Sequence, residues 1–168
     1  IANDIDPRHL FILTERTPDN IRHKLSTLAG AFPDGLNVPD ESIGAVLVCR
    51  VLNFFDGEMI ERSAASLFRM LSHGGKVFIV AETPYLKNFQ DFIPIYEARR
   101  QQGEMWPGYV ADVMAIAPER GKSLPARMHF LDPVGLSRAF TQAGFIVERA
   151  ATFARPEFPL DIQLDGRE

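Results

Sequence analysis

Leu67-Phe68-Arg69-Met70-Leu71-Ser72-His73-Gly74-Gly75-Lys76-Val77-Phe78-Ile79-Val80 decides how this chain is read. Its first half completes a helix predicted over 58–71, in which Met59, Ala64, Leu67, Phe68 and Leu71 recur at spacings that fit one helical face. Gly74-Gly75 is expected to end that helix, because glycine accepts the positive φ of a helix stop. A buried strand is predicted over 76–81. Just upstream, 43–49 (Ile-Gly-Ala-Val-Leu-Val-Cys) is near-continuously apolar, as expected of a strand covered on both faces in the middle of a sheet. Strand, helix and strand in that order predict an α/β fold with a mainly parallel sheet.

The same alternation extends outward. Residues 1–5 read as the end of a strand, after which Asp6-Pro7 supplies a helix cap and a first-turn proline. The helix that follows carries Leu10 and Leu13, Pro18 interrupts it, a short helical stretch covers 19–23, and 25–31 returns as a strand. Pro33, Asp34, Gly35 and Pro39 mark a loop. Toward the other end, a helix is predicted over 133–143, closing at Gly144, with a strand over 145–153. The tail alternates: Leu160, Ile162 and Leu164 face one way, Asp161, Gln163 and Asp165 the other, which predicts a last strand. Residues 84–128 form an insertion rich in aromatics. Within it Phe89, Phe92, Ile93 and Tyr96 share one helical face, a spacing that predicts packing onto the domain.

With 168 residues, 46% hydrophobic and 24% charged, the chain suits a single soluble domain with a core of its own. A net charge of −4 with interspersed signs offers no basic face for nucleic acid. No apolar run reaches membrane-spanning length, so no membrane partner is expected. Cys49 is the only cysteine, which excludes a disulfide framework and favours a reducing, cytoplasmic setting. His9, His23, His73 and His129 lack ligand-like spacing, and no metal is expected.

Three segments together resemble the class I S-adenosylmethionine-dependent methyltransferases. Ile1-Ala2-Asn3-Asp4-Ile5-Asp6-Pro7 is similar to that family's second strand, ending in an acid before a capped helix; 40–55 is similar to its fourth strand with flanking loop and turn; 67–80 is similar to its fifth. His129-Phe130-Leu131-Asp132-Pro133 and Ala143-Gly144-Phe145 resemble its last helix and the hinge into a sixth strand, with 160–165 as a seventh, antiparallel one. The resemblance implies a Rossmann-like three-layer sandwich, mostly parallel with an antiparallel last strand, and a helical, aromatic insertion after the fifth strand. It implies S-adenosyl-L-methionine as cofactor and a small or medium-sized acceptor as substrate. Asp4 stands where the family's acid accepts hydrogen bonds from the cofactor's ribose hydroxyls, beside Ile5; helix capping or a surface position is the plain alternative. Ala31 and Phe32 fall at the adenine end, Cys49 and Arg50 at the methionine end or toward the substrate. Glu82, Tyr85 and His129 are candidate bases. In the insertion, Trp106 and Tyr109 are the expected substrate-facing residues of a cap over 84–128.

The family's glycine-rich loop, between its first strand and first helix, is matched by no stretch of this chain. Residues 1–168 are thus expected to be one domain that is incomplete at its N-terminus, its sheet completed by an upstream segment or by another chain, as in a homo-oligomer. The turn after the fourth strand, Arg50-Val51-Leu52-Asn53-Phe54, lacks the family's motif for holding a planar amino group, which also counts against a nucleic-acid base as acceptor. Two other readings stay open. One is an NAD(P)-dependent Rossmann oxidoreductase, which also ends its second strand in an acid; the other is a catalytically inactive methyltransferase-like scaffold.

Overall fold

A computed structural model describes residues 1–167. The chain begins with β1 (Ala2–Asp4), α1 (Pro7–Arg16), α2 (Asp19–Arg22) and β2 (Thr27–Ala29). β1 and β2 pair in parallel, Asp4 opposite Ala29. As the sequence predicts, Asp6 caps α1, its carboxylate accepting from the Arg8 N–H at 2.9 Å, and Pro7 opens the helix. Leu10 is buried but Leu13 is exposed, because only the α1 face turned toward β1 and β2 finds cover. The second strand is shorter than the predicted 25–31.

β3 (Ile43–Cys49), α3 (Gly57–Met70) and β4 (Leu71–Val80) form the next unit, with a 3-10 turn, Leu52–Phe54, between β3 and α3. β3 and β4 are parallel, from Ala45 opposite Lys76 to Cys49 opposite Val80. Gly74-Gly75 does not end the helix. α3 stops at Met70, where the Glu41 and Ser42 N–H groups bond the Arg69 and Met70 carbonyls and so satisfy orphan acceptors of its last turn. Gly74, at φ +76°, instead sits where the pairing jumps between Ile43–Leu71 and Ala45–Lys76. β3 is also not the doubly covered central strand its composition predicts. It pairs with β4 alone, and Val48 packs against Ile60, Ala64 and Leu67 of α3, while Leu47 and Phe78 on the other face are 65% and 56% exposed. Among the described residues no element covers that face.

The insertion folds around its own core. After a 3-10 turn at Lys87–Phe89 come α4 (Ile93–Gln101), β5 (Tyr109–Val110), α5 (Val113–Ile116), α6 (Pro118–Gly121) and β6 (Met128–His129), with β5 and β6 antiparallel. Phe89, Phe92, Ile93 and Tyr96 are buried on one face as their spacing predicts, but in a cluster with Tyr85, Val113 and Phe130 of the insertion's own core rather than against the α3–α7 core. α7 (Pro133–Gln142) is capped by Asp132, whose Oδ1 accepts from the Gly135 N–H at 2.7 Å, and it joins α3 over β3 and β4.

The predicted strands at 145–153 and 160–165 do not form. Residues 145–155 are irregular and Ile146 is 91% exposed, having no strand edge to pair with. Pro159 leads into a 3-10 turn, Leu160–Ile162, which turns back on the chain, so the first half of the period-two pattern does not pair as a strand. Only Leu164 makes a strand-like bridge, antiparallel to Leu86. The antiparallel last strand is therefore absent among the described residues, and the sheet consists of short two-stranded pieces in an α/β chain.

Candidate functional site at the carboxyl ends of the parallel strands

Open parallel sheets bind ligands beyond the carboxyl ends of their strands. β1 ends at Asp4. Its Oδ1 accepts from the Asp6 N–H at 2.8 Å and its Oδ2 lies 3.2 Å from His9 Nδ1, and the backbone bond above all holds the carboxyl below its usual range, hence ionised. Ile5 beside it is exposed. Past β2, Ala31 is exposed, whereas Phe32 stacks on Phe55 with centroids 6.3 Å apart and packs into the α3–α7 core.

β3 ends at Cys49, an exposed free thiol, and Arg50 follows with a left-handed φ of 56°. The Arg50 N–H donates to the Val80 carbonyl at 2.7 Å, and its Nε meets Glu82 Oε1 at 2.9 Å. A residue expected at the cofactor and a candidate base thus form one ion pair across the ends of β3 and β4. Asn53 holds that corner together. At 1% exposure, its Nδ2 donates to the His129 and Glu82 carbonyls at 2.7 and 3.3 Å, and its Oδ1 accepts from the Glu82 N–H at 3.1 Å. Sequence reasoning missed Asn53. The signal was one amide inside Val51-Leu52-Asn53-Phe54-Phe55, since a polar side chain in an apolar run must find partners.

Tyr85 is buried edge-on to Tyr96 at 5.6 Å. The Tyr96 hydroxyl donates to Asp132 Oδ2 at 2.9 Å, and burial together with that carboxylate pushes its pKa up. Asp132 therefore ties the insertion to α7 through both oxygens. Trp106 lies against the α3 and α7 starts: its Nε1 donates to Glu61 Oε1 at 3.2 Å, the Arg138 guanidinium sits 4.7 Å over the ring, and a Cβ on Gly57 would come within 2.1 Å of the indole. Trp106 and Tyr109 both set their ring planes steeply against His129, with centroids 5.2 and 5.6 Å away. The two residues expected to face substrate thus surround a buried histidine, and a substrate-facing Trp106 would have to leave this packing.

His129 is 1% exposed, and its Nδ1 lies 3.0 Å from the Phe55 carbonyl, which can only accept, so Nδ1 carries the proton. Burial pushes the imidazole pKa down despite the Phe55 carbonyl and the Asp132 and Asp56 charges. The unfolded chain, with an ordinary value of about 6.5, then takes up this proton first as pH falls. The contribution is complete above that value and is lost as pH drops through and below it. Urea midpoints measured from pH 8 to pH 5 fall for the wild type, and His129→Gln flattens the decline; an equal decline in both would exclude His129 as its source.

Among the described residues no cluster of His, Cys, Asp and Glu is placed to hold a metal ion, and no helix is long and apolar enough to cross a membrane. No protein-family model matches the chain, and no curated protein matches it. Among solved structures, it is similar to the S-adenosylmethionine-dependent methyltransferase from Mesorhizobium loti, with a TM-score of 0.56 and 16% identity, over 88% of this chain and 63% of that one. The chain thus spans less than two thirds of the length of that protein. At this identity the likeness is one of fold alone, an α/β fold shared with that protein.

Proposed function

We propose that this chain is a methyltransferase domain that binds S-adenosyl-L-methionine and passes its methyl group to a small or medium-sized acceptor. The observation that carries the reading is Asp4, an ionised acid closing β1 of a parallel pair. A carboxylate offers about four lone-pair sites, and the Asp6 N–H and His9 occupy two, which leaves room for two vicinal ribose hydroxyls. Ile5 flanks the ribose, Ala31 and Phe32 the adenine, and Cys49 and Arg50 the methionine end.

The cofactor, when bound, supplies an electrophilic methyl on its sulfonium. The chain's task is then to align the acceptor and take its proton. Glu82 is the base, held at the rim by Arg50 and by the Asn53 bonds to its backbone; Tyr85 and His129 position the wall of the insertion. Residues 84–128 form the acceptor's cap, whose wall Trp106 and Tyr109 build by packing against His129. The setting is cytoplasmic, without membrane or nucleic acid.

β1 and β3 each keep one unpaired edge, and a cleft of about 360 Å³ lined by Ile1, Thr27, Leu28, Val38 and Ile43 opens between the two pairs. A parallel strand seated there, from an upstream segment or a second copy, joins the pairs and brings a glycine-rich loop beside Asp4. Two other readings carry distinct outcomes. The unpaired edges favour a scaffold that binds no nucleotide, and an acid-ended strand also suits a nicotinamide dinucleotide.

Titration calorimetry with S-adenosylhomocysteine and with NADH, run with the strand that joins the two pairs present, separates the three. Binding of the first alone supports the methyltransferase, of NADH alone the oxidoreductase, and of neither the scaffold. Asp4→Asn removes a charge-assisted acceptor and weakens S-adenosylhomocysteine by about tenfold to hundredfold, with the thermal midpoint unchanged. Unchanged affinity in Asp4→Asn alongside lost binding in Asp6→Asn would move the ribose site two residues along the chain.

A further inference from the structure

The tail returns to the rim at Phe158. Arg50 stands beyond the end of β3, its side chain half-exposed, and its guanidinium lies 5.1 Å from the centre of the Phe158 ring. Arg155 covers the same ring at 4.2 Å and is itself ion-paired with Glu157. Phe158 is therefore clasped between a guanidinium of the site and one of the tail, the geometry in which a cation is drawn to an aromatic face.

The rest of the tail is anchored elsewhere. Gln163 folds it with its own amide, donating to the Pro156 and Phe158 carbonyls at 3.1 and 2.8 Å. Its carbonyl accepts from the Lys87 N–H at 3.0 Å, and the Asp165 N–H donates to the Tyr85 carbonyl at 3.0 Å, so 163–165 is fixed along 85–87. On the other side, 145–155 has no regular structure. A segment anchored at one end and irregular at the other touches the rim at the Phe158 ring.

We propose that residues 155–165 are a strap over the carboxyl-end rim, latched by Phe158 on Arg50 and hinged at the Gln163–Asp165 anchor. With the latch closed, Phe158 covers the outer face of Arg50 and narrows the approach to the Arg50–Glu82 pair. With it open, the pair is reached from solvent while 163–165 stays in place. The latch is a weak contact by design, since guanidinium–ring contacts at exposed sites are among the smaller interactions in a folded protein. It is a property of the chain without ligand, so its failure leaves the methyltransferase reading untouched.

Hydrogen exchange followed by mass spectrometry on the whole chain tests it. Arg50→Met keeps the unbranched stem of the side chain and removes the guanidinium. Exchange at Phe158 and at 160–162 then rises about two- to fivefold, while Asp165 and the amides of β3 and α3 keep their wild-type rates. Unchanged exchange at 158–162 overturns the latch, and a rise that includes Asp165 overturns the hinge. If Arg50→Met also loosens β3, Phe158→Ala decides, because it alters no residue of the sheet: faster exchange confined to 157–162 supports the strap, and wild-type rates there sink it.

Discussion

Trp106→Ala lowers the stability of the chain by about 3 kcal/mol, the range found when a large packed aromatic is truncated. Four contacts vanish together: the bond to Glu61, the Arg138 stack, the edge against His129 and the close approach to Gly57. A cavity is left where the insertion meets the starts of α3 and α7. For a chain of this length the thermal midpoint falls by about 6 to 12 °C. Tyr109→Phe is the control, because the phenyl ring keeps its place against His129 while the Arg99 guanidinium still bonds the Tyr109 backbone carbonyl at 2.7 Å. Its midpoint stays within about 2 °C of wild type. Calorimetric melting measures both. A Trp106→Ala protein of wild-type stability would release this indole from the packing role and return it to the acceptor.

Asn53→Ala costs a similar amount for a different reason. The alanine leaves no cavity of consequence but strands the Glu82 N–H and the His129 carbonyl in the interior, at about 1 to 3 kcal/mol each. The Glu82 carbonyl is spared, because the Leu131 N–H also reaches it at 2.8 Å. The loss is thus about 3 kcal/mol, read from urea unfolding. Asn53→Asp sharpens the test. Its ionised oxygen would face the two carbonyls that the amide N–H groups now serve, so near pH 7 it destabilises at least as much as alanine. As pH falls and the carboxyl takes a proton it can donate again, and its deficit relative to wild type narrows. A deficit independent of pH would mean that Asn53 donates to neither carbonyl.

Local chemistry was legible in the chain itself. Asp6-Pro7 opens α1 and Asp132-Pro133 opens α7 because a capping carboxylate and a preset φ act within three residues. The strand at Ile43–Cys49, the helix after it and the aromatic face of 89–96 follow from periodicity, which records how a segment will be buried. Periodicity does not name the neighbour. The run in β3 is as apolar as that of a strand covered twice, yet one of its faces is open, and the alternation of 160–165 is broken by a 3-10 turn at 160–162, so that only 163–165 pairs, along 85–87.

The candidate site divides in the same way. Asp4 at a strand end is visible in sequence order, since strand, acid and helix cap are consecutive. The Arg50–Glu82 pair, the Asn53 bonds to residues 29 and 76 positions away, the enclosure of His129 and the Phe158 latch are not. The sequence by itself determined where α1 and α7 begin and where β3 runs, because caps, prolines and apolar spacing act over a few residues. Only the tertiary structure decided which polar groups share a corner, which aromatics are walls and which are core, because those outcomes depend on what the chain brings back from far along its length to satisfy a buried donor or cover an apolar face.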